Sequence, residues 1–271
     1  MADKIRADMK KRIAEIVLPI ASVAAFVAVW WVFAKKANSE IVAPEPALVG
    51  KEFISLFQNK MFFASLGGTM KRVTAAFSLS FACALLFAVL ADRFSLLKSA
   101  FSPFIVLMRA TPTMSVILLC LIWLKEAKSP IAVSFLVVFP MLYSAILGVL
   151  SGRDRSLDEL AEVYGVKKSK AFFLMTFPSV FDSLFYQLVS TFSFCIKLTI
   201  AGESLAATKL SLGKDMHDAS VNFETAKLLA FTLCAVAAAF LAEIFLKLLY
   251  KSIKGVIYGS RSKRINKEIR G

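Results

Sequence analysis

Six apolar runs, at residues 16–34, 73–91, 99–124, 129–150, 183–202 and 228–246, decide what this chain can fold into. Each holds 19 to 26 residues, and a helix needs about 20 to cross the hydrocarbon core of a bilayer. Inside lipid, backbone N–H and C=O groups must satisfy one another, so only helices and closed barrels can span. Runs of this length are too long for barrel strands and too numerous for the buried helices of a soluble core. The expected fold is therefore an all-α membrane protein with six transmembrane helices. A hydrophobic fraction of 58% and a content of 25 Phe agree with that class. Three runs carry no charge, whereas the others contain Arg109, Lys197 and Glu243.

Loop charge sets the expected topology. The formal net charge is +14, an excess compatible with nucleic-acid binding, but its distribution points to a membrane instead. With a cytoplasmic N-terminus, six spans place 20 of the 33 Lys and Arg inside, 11 outside and two within spans. That is the sense of the positive-inside bias. The same orientation brings Trp30, Trp31 and Trp123 to the outer interface, where amphipathic rings settle. A basic stretch precedes the first run, as in a signal peptide, but the run's 19 residues exceed the roughly 7–15 of a cleaved apolar core. The first helix is expected to be retained. The chain then divides into a basic cytoplasmic N-terminus (1–15), a transmembrane domain (16–250) and a basic cytoplasmic tail (251–271). A disordered, headgroup-binding segment is the default expectation for that tail.

Residues suited to covalent, metal or nucleotide chemistry are sparse. Cys83, Cys120, Cys195 and Cys234 all fall inside spans without metal-ligand spacing, and are expected as small core residues. The single histidine, His217, has no partner spacing for a metal or a triad and is expected to be solvated. The sequence holds no phosphate loop, so no ATP hydrolysis is expected from this chain alone, and neither a metal nor a cofactor is called for.

The most ordered polar pattern lies in the insert at residues 151–178. Asp154 or Ser156 can cap a first short helix, whose positive end suits Asp158 and Glu159. Leu157, Leu160, Ala161 and Tyr164 fall at i, i+3, i+4 and i+7, which gives one apolar face on a polar element. Gly165 permits a tight reversal into a second helix. A helix of this kind lies in a partner's groove or rests on lipid headgroups.

The spacing Glu159-Leu160-Ala161, Gly165, Pro178 resembles the cytoplasmic coupling loop of the permease subunits of bacterial ABC importers. That loop runs Glu-Ala-Ala, three residues, Gly, nine residues, Ile-x-Leu-Pro; here Leu160 replaces the first Ala, and Met175 and Phe177 stand at the Ile and Leu places. The resemblance extends from about Leu18 to Leu249. Ala43-Pro44-Glu45-Pro46, ahead of apolar positions Val49, Phe53, Ile54 and Phe57, is similar to the Leu-Pro-Ser-Pro segment of the branch serving sulfonates, taurine, nitrate and thiamine precursors. Residues 66–73 resemble the family's second-helix start, and Arg109-Ala110-Thr111-Pro112 its Arg-x-x-Pro. Ala201-Gly202-Glu203 resembles its Ala-x-Glu, and Leu212-Gly213 its Gly-Leu-Gly re-entrant or gating segment.

The resemblance implies a type I importer permease in the cell inner membrane, multi-pass, with both termini cytoplasmic. It further implies a homodimer whose coupling loops (Asp158, Glu159, Leu160, Ala161, Tyr164, Gly165 and Pro178) dock on cytosolic ABC ATPase subunits. An extracytoplasmic substrate-binding protein would deliver a small solute, anionic if the two intramembrane bases line its path, and membrane lipid surrounds the assembly; no nucleic acid is involved. Arg109, Pro112, Lys197 and Glu203 are the candidates for the translocation path. A charge near the bilayer centre costs roughly 2.5–3.5 kcal/mol against lipid, so Arg109 and Lys197 must face protein or water. Two readings stay open: a positive path for an anion, or basic side chains that pair with carbonyls or with Glu203 to hold helices in register. Pro112 and Pro140 each remove a backbone hydrogen bond and are expected to bend their helices. An ion-gradient-driven secondary transporter is the alternative. It needs intramembrane carboxylates, and those in or beside spans here are Asp92, Asp182, Glu203 and Glu243, mostly near helix ends. A membrane enzyme would need a catalytic cluster that this sequence lacks.

Overall fold

The computed structural model describes residues 2–152, 163 and 177–269. Its elements there are α1 (Ala2–Ala37), α2 (Pro46–Leu56), α3 (Lys60–Arg93), α4 (Ser95–Ala110), α5 (Thr113–Trp123), α6 (Ser129–Ser151), α7 (Phe177–Ala206), α8 (Leu212–Val221) and α9 (Thr225–Ile269). Among the described residues, five helices are long and apolar enough to span by themselves, in α1, α3, α6, α7 and α9. The sixth expected span is the pair α4 and α5, bent by 97°. This is an all-α membrane fold, with the third apolar run broken rather than straight.

The break is local backbone chemistry. Pro112 has no N–H for the helical ladder, and its ring disfavours helical backbone at the residue before it. Thr111 accordingly turns extended (φ −68°, ψ 127°) and closes α4, its N–H bonded to the Leu107 carbonyl. The Pro112 carbonyl then accepts the Ser115 and Val116 N–H groups and starts α5. Pro140 behaves differently, since α6 runs unbroken from Ser129 to Ser151 through it. Ser144 donates to the Pro140 carbonyl at 2.8 Å, and close packing surrounds this part of the helix, with Val138, Phe139 and Leu142 all buried. The tail also departs from expectation: instead of loosening after residue 250, α9 continues through Ile269. Lys, Arg, Ile and Glu are adequate helix formers, and nothing between 251 and 269 breaks the ladder.

The chain separates into two compact units, residues 1–62 with 216–234, and residues 63–215 with 235–271. In the first, Pro46 opens α2 beside an extended Glu45, as proline's fixed φ favours at a helix start. Val49 and Leu56 bury its inner face, while Ile54 and Phe57 stay exposed. Lys35 meets Glu45 at 2.9 Å, and Thr225 donates to the Ile41 carbonyl at 2.6 Å. Only 6% of the α1 window is buried, so its apolar surface is left for lipid. In the second unit, half of each of the α6 and α7 windows is buried, and these helices form its centre. Val133, Leu142 and Ile146 of α6 and Cys195, Ile196 and Leu198 of α7 are all buried, Val133 in one cluster with Ile117 and Cys120 of α5. Ser134 and Thr199 share a hydrogen bond of 2.8 Å across the pair. Close approach is possible because Gly202 faces Pro130, where a Cβ would stand 3.1 Å from the proline Cα. Cys120, Cys195 and Cys234 are buried and Cys83 half-buried, as expected of small core residues.

Candidate functional site

Glu203, near the end of α7, is a heavily engaged acidic group of the second unit. It is fully buried, yet each carboxylate oxygen has a donor. Thr69 of α3 donates to Oε2 at 2.8 Å and Arg72 of α3 to Oε1 at 2.9 Å. The Gly213 N–H reaches Oε2 at 3.3 Å. Burial of a carboxylate is tolerable only with such pairing.

These contacts assemble the start of α8. The first N–H groups of a helix lack internal partners, and that end carries partial positive charge. Here Thr69 accepts the Leu212 N–H at 3.0 Å, Glu203 accepts that of Gly213, and Ser211 accepts that of Lys214 at 3.1 Å. Ser211 is thus the N-cap. The preceding turn places Ala207 at φ 48° and Leu210 at φ 49°, in the left-handed region that side chains disfavour. Its carbonyls are held from outside: Arg72 donates to those of Lys209 (3.0 Å) and Leu210 (3.2 Å). Thr208 anchors the turn to the Glu126 carbonyl at 2.9 Å. Two glycines make room. A Cβ on Gly68 would collide with the Leu210 carbonyl oxygen, and one on Gly213 with the Ile200 carbonyl oxygen and the Glu203 Cβ.

The partner of Glu203 is therefore Arg72, not Arg109 or Lys197. Neither of those two side chains makes a salt bridge among the described residues, and both are exposed. Arg109 occupies the last turn of α4, where unsatisfied carbonyls favour a cation. It lies three residues before Pro112 and lines a cavity between α4 and α6. Lys197 stands near the middle of the α7 span, on a face where Tyr186, Ser190, Ala201 and Leu205 are also exposed. His217 is half-buried on α8 rather than fully solvated. Of the loop residues, Asp158, Glu159, Leu160, Ala161, Tyr164 and Gly165 lie outside the described residues, while Pro178 is the second residue of α7. Thr69, Arg72 and Ser211 are the site residues that spacing alone did not single out. Arg72 and Thr69 fall within the segment 66–73 that resembles the family's second-helix start, which was the available signal.

A multi-span helical fold with one broken span and a saturated carboxylate hub is that of a polytopic membrane protein. Residues 80–255 match the family described as binding-protein-dependent transport system inner membrane component, and the chain belongs to that family. It is similar to a probable ABC transporter permease protein of Brucella melitensis biotype 1, with 25% identity over 218 residues that cover 80% of this chain and 87% of the relative. A probable permease of Brucella abortus is also 25% identical, covering 80% of this chain and 86% of its own. Among solved structures, a bacterial ABC transporter involved in import of the acidic polysaccharide alginate has the same fold. Its TM-score is 0.61 at 13% identity, with 92% of this chain and 99% of that one covered. The protein is an ABC importer permease.

Proposed function

We propose that this chain is the membrane-spanning half of an ATP-driven importer for a small anionic solute, working as a homodimer with both termini in the cytoplasm. Family membership supports the importer reading at the level of the whole chain. Exposed Lys197 carries the finer one. A lysine in mid-span facing lipid would be unfavourable by roughly 2.5–3.5 kcal/mol. A face built from Tyr186, Ser190, Lys197 and Ala201 suits a second subunit and a wet path between the two. A cation on such a path attracts anions of the sulfonate, nitrate or taurine type and disfavours cations. A thiamine-precursor cargo would have to be admitted by other contacts.

In this reading the Asp158–Glu159–Leu160–Ala161 segment, Tyr164 and Gly165 dock on one ATPase subunit, and Pro178, in the first turn of α7, passes the movement into the membrane. Closure of two ATPase subunits draws the two loops together and opens the permease outward. A separate extracytoplasmic binding protein delivers the solute and supplies most of the selectivity. Arg109, Pro112 and Glu203 bear on the path in different ways, Arg109 and Pro112 at the α4–α5 break and Glu203 by holding α8.

Co-purification tests the docking step. Wild-type chain extracted from its native membrane should bring an ABC ATPase with it. Glu159→Lys, which reverses a charge in the proposed docking segment, should lose that ATPase while keeping normal membrane insertion. Equal recovery of ATPase with the variant would refute this assignment of the loop.

A further inference from the structure

The cavity between α4 and α6 contains an arrangement that neither the family assignment nor the Glu203 hub uses. It measures about 360 Å³ and is lined on the α4 side by Lys98, Ser102 and Arg109, and on the α6 side by Tyr143, Ser144 and Ser151. Among the described residues, no acidic side chain lines it. Lys98 and Arg109 are exposed and pair with no carboxylate among the described residues. Tyr143 is the unusual member. Its side chain is 3% exposed, and its hydroxyl is buried without any hydrogen-bond partner among the described residues. Buried hydroxyls are nearly always satisfied, because leaving one unmade forfeits its hydration with nothing in return. Phenylalanine would fill the same space without that loss, so the hydroxyl at this position calls for a partner beyond the described residues.

We infer that the α4–α6 cavity binds an anionic oxygen group, a phosphate, sulfonate or carboxylate, with Arg109 and the Tyr143 hydroxyl as its donors. A guanidinium presents forked N–H donors that match such oxygens, and a neutral O–H adds a short charge-assisted bond. Lys98 lies eleven residues before Arg109, about 16 Å along the helix, so a compact anion meets Arg109 and Tyr143 while Lys98 draws it into the cavity. Ser144 already donates to the Pro140 carbonyl and offers the ligand no further proton. The group belongs either to an anionic lipid headgroup or to a soluble oxyanion. The inference does not rest on the importer reading, since a lipid phosphate fits it equally well.

The test is thermal unfolding of the full chain in neutral detergent with two probes. One is methanesulfonate, titrated against chloride at constant ionic strength. The other is phosphatidylglycerol, titrated against phosphatidylcholine in mixed micelles. At least one probe should raise the wild-type midpoint in a saturable way. The apparent affinity should fall about tenfold in Arg109→Gln and in Tyr143→Phe, the loss of one charge-assisted hydrogen bond. Without a probe, Tyr143→Phe should unfold at the same temperature as wild type or higher, which separates loss of binding from loss of fold. Lys98→Gln, at an exposed position, gives a further variant with weaker binding should Arg109→Gln fold poorly. A response to lipid alone assigns the site to a headgroup, and a response to methanesulfonate alone assigns it to a solute. The inference fails if neither probe stabilises the wild type, or if Tyr143→Phe and Lys98→Gln respond as the wild type does.

Discussion

The behaviour of single residues follows most directly from the Glu203 hub. Glu203→Ala would leave Arg72, whose side chain is only 17% exposed, without its carboxylate, and would also release the Gly213 N–H. Breaking a buried pair from one side costs about 3 kcal/mol or more. The purified variant should show that loss as a lowered unfolding midpoint. Two adjacent glycines give a sharper contrast. Gly68→Ala forces a Cβ onto the Leu210 carbonyl, whereas a Cβ on Gly67 meets nothing within 4 Å. Gly68→Ala should destabilise by roughly 1–3 kcal/mol through overpacking, while Gly67→Ala should be neutral or slightly stabilising, because alanine is the better helix former. Equal stability of the two variants, compared by thermal unfolding, would remove Gly68 from the account. The acid itself was legible in the sequence, through its Ala201-Gly202-Glu203 setting. Its partner was not, because 131 residues separate Arg72 from Glu203 and spacing along a chain carries no information about such a pairing. Lys197, six residues away, was the nearer candidate in sequence and points elsewhere.

At the level of elements, the break between α4 and α5 was legible and the fate of Pro140 was not. Both prolines delete a ladder hydrogen bond, but only at Pro112 does the preceding residue leave the helical region; α6 absorbs Pro140 where its neighbours are closely packed. Pro112→Ala should therefore let α4 and α5 straighten from their 97° bend. Spin labels at Phe104 and Leu119, both exposed, should move apart in a background without native cysteines; an unchanged separation would mean that packing, not proline, holds the bend. The extent of α9 was hidden for another reason. A polar segment with helix-forming residues and no apolar stripe has no periodic signal to distinguish it from a disordered tail. One anchor is visible at its start: Lys254 donates to Asp182 of α7 at 2.7 Å and to the Tyr250 hydroxyl at 3.2 Å, and Tyr250 donates to Asp182. The Asp182 carboxylate, and then the Tyr250 hydroxyl, hold the Lys254 ammonium above the ordinary lysine range. A raised folded-state value means that the clasp contributes fully below about pH 10 and is lost only as pH climbs beyond the ordinary lysine range. The stability difference between wild type and Lys254→Met should accordingly stay constant from pH 6 to pH 9 and shrink in stronger alkali. A difference that changed within the neutral range would assign the clasp to another titrating group.

Across the whole molecule, the class of protein was visible from hydropathy and a few spaced residues, because a bilayer admits so few folds. The division into two compact units was not visible, since their boundaries fall within continuous helices such as α3 and α9. In the proposed function, the molecule works through coupling between its membrane helices and an ATPase. That coupling is tested most directly by solute uptake into proteoliposomes holding the chain and its co-purified ATPase, with the binding protein supplied outside. Labelled sulfonate, taurine, nitrate and thiamine precursor are the solutes to try. Uptake of one of them should require ATP inside the vesicle, survive collapse of ion gradients by ionophores, and be abolished by Gly165→Pro. Uptake that proceeds without ATP and stops when the ion gradients collapse would contradict it.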